Sequence, residues 1–280
     1  MLMKVEIPAS VYQIMLAHAL STEKEEIIGM LIGEWQGLKN TNPFMASRAL
    51  ARIHAVSLLT RSDKRKDRVE IAPEQLHLAA CAAEELSKKM DRTMCVIGWY
   101  HSHPHITVFP SHVDLRTQQS YQYMDSHFLG LIISCFDERS DMMQRVQITC
   151  FQAEEDENGQ IKRANVPIEV VPEPSVSPFL RETFLSLPRI MYQEHKKEYE
   201  MATKRIQYEN SKDGTTTLPE MMTQLHNTGV YGQSIVHLVD NVICPATQVL
   251  EDKAIALQKQ IDAIKREREQ QNSNLIDLDS

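Results

Sequence analysis

The chain has 280 residues, 42% hydrophobic and 24% charged, enough for one good globular core plus an appendage. Its net charge of −8 argues against a general nucleic-acid binder, and no apolar run is long enough to span a membrane. The five cysteines (Cys81, Cys95, Cys135, Cys150 and Cys244) are scattered and form no Cys-x-x-Cys pair, so they read as reduced thiols of the cytoplasm and nucleus.

Met1-Leu2-Met3-Lys4 leads directly into a strand pattern, Val5 to Ile7, and no targeting leader is expected. Pro8 suits the first turn of a helix whose apolar face is Val11, Ile14, Met15, His18 and Ala19. His18 reads as a packed or capping histidine. Residues 27 to 35 form an apolar strand, Gly37 to Pro43 a loop, and residues 48 to 59 a long strand. Pro73 to Met90 is a helix that turns Leu76, Ala79, Ala80, Ala83 and Leu86 toward a core. Strands follow at Met94 to His103, Phe128 to Phe136, Gln144 to Phe151 and Val166 to Val171, with a helix at Asp114 to Met124. This order predicts an α+β domain over residues 1–172, a curved mixed β-sheet flanked by helices.

Composition shifts at the proline-rich segment 173–178, which reads as a linker. Beyond it, residues 179–270 are helical, a bundle or coiled-coil region for assembly. Phe179 to Asn210 is one long pattern interrupted by Pro188, Leu218 to Cys244 is a second stretch, and a last helix starts near Pro245. Leu250, Ala254, Leu257, Ile261 and Ile264 on that helix are spaced four, three, four, three, a heptad seam. Such a seam cannot bury itself. Either it folds back on the helix 179–210, or it joins a bundle shared with another chain. Residues 271–280 read as a disordered tail.

The chemistry concentrates between residues 99 and 114. His101 and His103 sit two apart in a predicted strand, so both imidazoles point the same way. Pro104 stops the strand and Ser111-His-Val-Asp114 reads as a helix start, which brings Asp114 in as a third ligand. Two histidines and one carboxylate make a catalytic zinc set, with the fourth position left to water. Taken alone, His-x-His is common and Ser-x-x-Asp is usually a helix cap. The whole string His-x-His-Pro-x6-Ser-x-x-Asp is far more specific, and Ser111 can cap the helix as well as act in catalysis.

That string resembles the JAMM motif of the MPN-type zinc isopeptidases, a family of deubiquitinating enzymes. The family also carries a glutamate on an earlier strand, followed closely by a glycine. Glu26 is the position that matches, with Gly29 after it. The segments 19–26, 60–71 and 98–108 narrow the resemblance to members that cut lysine-63-linked ubiquitin chains. It is sharp over residues 1 to about 172 and one of layout beyond.

The resemblance implies hydrolysis of the isopeptide bond between ubiquitin and a lysine side chain. His101, His103 and Asp114 would hold one Zn2+. Glu26 would be the general base, with Glu25 as the fallback, and Ser111 would steady the oxyanion. Taken by itself, Glu26 is an exposed acid in the run Glu23-Lys-Glu-Glu26. Ser111, His112 and Asp114 are neighbours on a helix start and do not form a Ser-His-Asp triad. His112 reads as surface or as a support behind the ligands, His105 as a substrate contact or an exposed side chain, and Trp99 and Tyr100 as packing. The basic residues Arg61, Lys64, Arg65, Lys66 and Arg68 lie in an insertion that the resemblance sets near the substrate channel; taken alone they read as a solvated loop. Some relatives with this linkage preference carry a second, structural zinc. Residues 135–165 offer only Cys135 and Cys150 and no histidine, so none is expected here.

Relatives also pair with a motif-lacking MPN protein. That favours the shared bundle, with an Abraxas-type inactive partner on the C-terminal helices, within a larger multisubunit complex and with no nucleic acid or membrane involved. Two other readings are weaker. An inactive MPN scaffold would lack part of the Glu26, His101, His103, Ser111, Asp114 set. A zinc deaminase would need His-x-Glu and Pro-Cys-x-x-Cys, which are absent.

Overall fold

A computed structural model of the chain describes residues 2–23, 25–38, 48–59, 73–137, 145–173, 178–210 and 217–276. Strand β1 (Leu2–Pro8) alternates, with Val5 and Ile7 inward and Met3 outward, as a half-buried strand must. Pro8 ends it and is the N-cap of α1 (Ala9–Ala19), one position ahead of the expected first turn. Helix α1 buries Val11, Ile14, Met15, His18 and Ala19. The chain continues through β2 (Ile28–Leu38), β3 (Arg48–Leu58), α2 (Pro73–Met90), β4 (Cys95–Pro104) and α3 (His112–Gln122). It then runs through β5 (Leu129–Asp137), β6 (Arg145–Glu155), β7 (Ile161–Val166) and β8 (Ile168–Val171).

All eight strands form one mixed sheet in the order β7-β6-β5-β4-β2-β3-β1-β8. The pairs β1–β3, β1–β8 and β4–β5 are parallel and the rest antiparallel. Strands β7 and β8 stand at opposite edges of that order, yet only Pro167 separates them in the chain. The Val5 N–H donates to the Pro167 carbonyl at 2.9 Å. The sheet therefore curls until its edges meet at this proline, which has no N–H to give a ladder and so marks the corner. The single strand expected from Val166 to Val171 is two strands for the same reason, and β7 begins at Ile161.

Each face of the curved sheet has its own core. On one, α1 packs over Val5, Ile7, Ile53, Leu131 and Tyr100. On the other, Trp99, Ile28, Met30, Ile132 and Phe151 meet Ala79 of α2 and Leu115 of α3. Trp99 and Tyr100 go to opposite cores because successive strand residues point to opposite faces.

Helix α4 (Pro178–Asn210) carries Pro188 without a break, against the interruption expected there. Leu187 and Met191 are fully buried on either side of it, so packing holds both halves in line despite one lost backbone hydrogen bond. They form a third core with Leu238 and Val242, which touches Ala17 and Leu58 of the sheet domain. Helix α5 (Leu218–Leu238), a π-turn (Val239–Ile243) and α6 (Cys244–Ile276) follow one another without a gap, and α6 begins one residue before Pro245, where a last helix is expected. The widened π-turn clears the carbonyl that the ring of Pro245 would otherwise strike. Helix α6 extends to Ile276, so the tail expected from residue 271 is helical up to that point.

Gly29 faces Tyr100 across β2 and β4, and a Cβ there would lie 2.3 Å from the ring. The phenol is held at that spot by His18 Nδ1, 2.8 Å from its oxygen. Gly29→Ala is expected to push the ring off this partner and cost about 1–3 kcal/mol, read as a lower urea midpoint at unchanged m-value.

Candidate metal centre

Strand β4 is buried over most of its length, and Trp99, His101 and His103 share one of its faces. Its antiparallel pairing with β2 sets Ile28 opposite His101. One step further, the Ser102 N–H donates to the Ile27 carbonyl at 3.1 Å, and the Ile27 N–H donates to Ser102 Oγ at 2.9 Å. The same register carries Glu26 to His103, with Glu26 Oε1 4.0 Å from His103 Nε2. Glu26 itself lies just ahead of β2 and not on the strand, because the Ser102 side chain has already taken the amide of Ile27 and the ladder ends there.

Helix α3 starts at His112, two residues before the expected start at Asp114. Ser111 is its N-cap and Asp114 its third residue, joined in a reciprocal capping box. The Asp114 N–H donates to Ser111 Oγ at 3.2 Å, and the Ser111 N–H donates to Asp114 Oδ2 at 2.7 Å. The cap thus fixes the carboxylate as well as the helix start.

His101 Nε2 and His103 Nε2 face each other at 3.2 Å; Asp114 Oδ1 is 3.5 Å from the first and Oδ2 3.6 Å from the second. A first-row cation bound at about 2.0–2.1 Å in a tetrahedron has ligand atoms about 3.3 Å apart. The three side chains therefore fit a metal, and no other group of this kind occurs among the described residues. Burial works against ionisation of Asp114, but the two imidazoles and the Ser111 amide outweigh it and hold the carboxyl well below the usual carboxylate range. The anion a cation needs is thus in place. Burial pushes the Glu26 carboxyl the other way, up, against the pull of His101 and His103. The two acids are set apart by their surroundings.

The loop after the ligands is tied down residue by residue. His103 Nδ1 donates to the Thr107 carbonyl at 2.6 Å, which leaves Nε2 for the metal. Ser134 Oγ donates to the Ile106 carbonyl at 2.6 Å, and the His105 N–H to the Cys135 carbonyl at 2.9 Å. His105 takes the left-handed conformation (φ 60°) and its ring stacks on Phe136, also left-handed (φ 58°). The Arg163 guanidinium lies over Phe109, which braces the loop on β7. Sequence reasoning did not pick out Ser102, Thr107, Gln118 or Ser134. Only Gln118 carries a local signal, one helical turn after Asp114. His112 is exposed, as expected. Arg61, Lys64, Arg65, Lys66 and Arg68 lie outside the described residues.

A curled mixed sheet with a two-histidine, one-carboxylate site at the end of a central strand defines a metal-site protein of the MPN class. The family profile of the JAB1/Mov34/MPN/PAD-1 ubiquitin proteases matches residues 1–127, and that of the BRCC36 C-terminal helical domain matches residues 180–270. The chain is 38% identical over 291 residues to the Lys-63-specific deubiquitinase BRCC36 of Rattus norvegicus, covering 98% of this chain and 96% of the relative. The BRCC36 of Camponotus floridanus is 42% identical over 259 residues, covering 92% and 90%, and that of Xenopus tropicalis is 38% identical over 268 residues, covering 95% of each. The chain therefore belongs to the JAB1/Mov34/MPN/PAD-1 family, and within it to the BRCC36 family.

Ser111→Ala removes the acceptor of the cap and is expected to cost about 1 kcal/mol of stability, with Ser111→Thr restoring most of it; chemical denaturation of the three proteins checks this.

Proposed function

We propose that the chain is a zinc-dependent isopeptidase that cleaves lysine-63-linked ubiquitin chains, with Glu26 as general base. The observation that supports this most directly is the placement of Glu26 beside the triplet His101, His103 and Asp114 but outside it. Those three side chains would hold the zinc, which when bound would supply a Lewis acid able to bring the pKa of a water from 15.7 to about 7. The rest falls to the chain. Glu26, with Oε1 4.0 Å from His103 Nε2, is within reach of a water held beside the triplet. It takes the proton as the water oxygen attacks the isopeptide carbonyl carbon. It returns that proton to the lysine nitrogen as the C–N bond breaks, which leaves a carboxylic acid and a free amine; the acid's proton then passes to the amine or to solvent. Ser111 Oγ accepts from the Asp114 amide, so its own proton is free to donate to the carbonyl oxygen as negative charge develops there.

The names of the relatives support ubiquitin chains as substrate, and lysine-63 as the linkage. The C-terminal region supports work in a complex. Helix α4 packs on α5, while Leu250, Leu257, Ile261 and Ile264 of α6 are all roughly half exposed or more. A row of four large apolar side chains left in water is what a partner helix covers. The reading names an Abraxas-type inactive MPN protein as that partner.

A panel of linkage-defined diubiquitins tests the activity. Wild-type protein with its partner is expected to cut the lysine-63 linkage. Glu26→Gln should hold zinc at wild-type stoichiometry and not cut, and His101→Ala should lose both. Chelators should silence the enzyme and cysteine alkylators should not. Wild-type turnover by Glu26→Gln would remove that residue from its role.

Leu257→Glu/Ile261→Glu in α6 should abolish co-elution with an Abraxas-type protein on gel filtration and leave the melting temperature of the chain nearly unchanged, since both side chains are exposed.

A further inference from the structure

The two histidines of the centre are held differently. His103 has the usual outer partner, the Thr107 carbonyl on its Nδ1. His101 is fully buried, and its Nδ1 has no hydrogen-bond partner among the described residues. No polar contact on that nitrogen fixes the ring. Its neighbour is Trp99, two residues back on the same face of β4, whose indole lies parallel to it at 4.5 Å with 15° between the planes. The indole is itself anchored. Trp99 Nε1 donates to Gln118 Oε1 at 2.8 Å, and Tyr121 meets its edge at 6.1 Å. Gln118 is wholly buried, and its Nε2 donates to the Phe128 carbonyl at 2.7 Å and to Gln122 Oε1 at 2.9 Å. Gly130 leaves room for the Phe151 ring and for Gln118, since a Cβ there would sit 2.7 Å from the first and 3.0 Å from the Gln118 oxygen.

We propose that Trp99, locked by Gln118, is the positioning residue for His101. The stacked indole sets the plane of the imidazole and so aims Nε2 at the metal, the task that a carboxylate or carbonyl on the far nitrogen performs at most sites. Helix α3 then supplies the centre twice from one face. Asp114 is a ligand, and Gln118, one turn on, holds the plate behind another ligand. A glutamine suits this place because its oxygen receives the indole N–H while its nitrogen is spent on backbone and side-chain acceptors.

The inference rests on the metal-centre reading, and the test separates the two. Zinc affinity of the full-length chain is measured by competition with a chromophoric chelator, and the ligand field is read from the visible spectrum of the cobalt-substituted protein. Trp99→Leu removes the plate and is expected to weaken zinc about 10–100-fold and to change the cobalt spectrum. Trp99→Phe, which keeps an aromatic face but loses the bond to Gln118, should recover part of the affinity and bind zinc about as weakly as Gln118→Leu. Gln118→Leu keeps the ring and the core volume but frees the indole; it should weaken zinc about tenfold. A purely packing role for Trp99 would lower the melting temperature and leave the cobalt spectrum of the folded protein as in wild type. Should Trp99→Leu fail to fold, the folded Gln118→Leu and Trp99→Phe proteins decide. Wild-type zinc affinity and cobalt spectrum in Gln118→Leu would overturn the proposal while leaving the metal centre standing. Failure of the wild-type chain itself to bind zinc, with His101→Ala no different, would overturn both.

Discussion

The pairing of β2 with β4 is the constraint on which the rest depends. Its register, Ile28 opposite His101, is what brings Glu26 and His103 within 4.0 Å although 77 positions separate them in the chain. A slip of one residue would turn every side chain of β4 over, carrying both imidazoles into the α1 core and Tyr100 into the metal site. Two features pin the register. Gly29 admits the ring of Tyr100 over the β2 backbone, where any side chain would collide. Ser102 exchanges two hydrogen bonds with Ile27 at the end of the ladder. Catalytic geometry and strand pairing are here the same fact.

The carboxylate of Asp114 shows how few atoms the site needs. One group accepts the Ser111 amide, faces both imidazoles and begins α3. Its low pKa and the raised pKa of Glu26 follow from position alone. Both acids are largely buried, but Asp114 has an amide on it and imidazoles at 3.5–3.6 Å, whereas Glu26 has its nearest imidazole only at 4.0 Å. An acid held as an anion fit for a cation and an acid pushed toward its protonated form therefore come from the same chemistry in two settings.

How much of this was legible in the sequence divides along a physical line. His101, His103 and Asp114 obey local rules, the two-residue period of a strand and the cap of a helix, so the string announces them. The bounds of α2, Pro73–Met90, follow from its apolar period in the same way. Glu26 was found through resemblance, since nothing local separates it from Glu25. What stayed hidden depends on contacts between distant segments. Strand β7, Ile-Lys-Arg-Ala-Asn-Val, is mostly half-exposed and has no clean alternation, so only its pairing with β6 makes it a strand. The continuity of α4 through Pro188 comes from Leu187 and Met191 in the third core. Trp99 read as packing, which it is, but its place behind His101 needs the helix that carries Gln118. His105 read as a substrate contact or an exposed side chain; it is exposed, and its ring also lies on Phe136, a residue that only the β4–β5 pairing brings there.

The same logic makes the C-terminal helices part of the frame of the site. At the end of α1, His237 Nε2 donates to the Leu20 carbonyl at 3.2 Å, with its Nδ1 accepting from Asn241 at 3.0 Å. Ser21 Oγ donates to the His18 carbonyl and lies 3.7 Å from Met191 Sδ in α4. Phe136, whose ring carries His105, also meets His237, at 6.4 Å. The segment that ends in Glu26 is thus held at its start by the helical region and at its finish by Ser102 of β4. Glu26 is placed by two clamps that lie in different parts of the chain. The π-turn that follows His237 sits where α5 leaves the sheet domain, so the helix that presents the exposed seam of α6 is the one that fixes Leu20. Sheet, the His101, His103 and Asp114 triplet and the C-terminal helices are in this way parts of a single arrangement around one carboxylate.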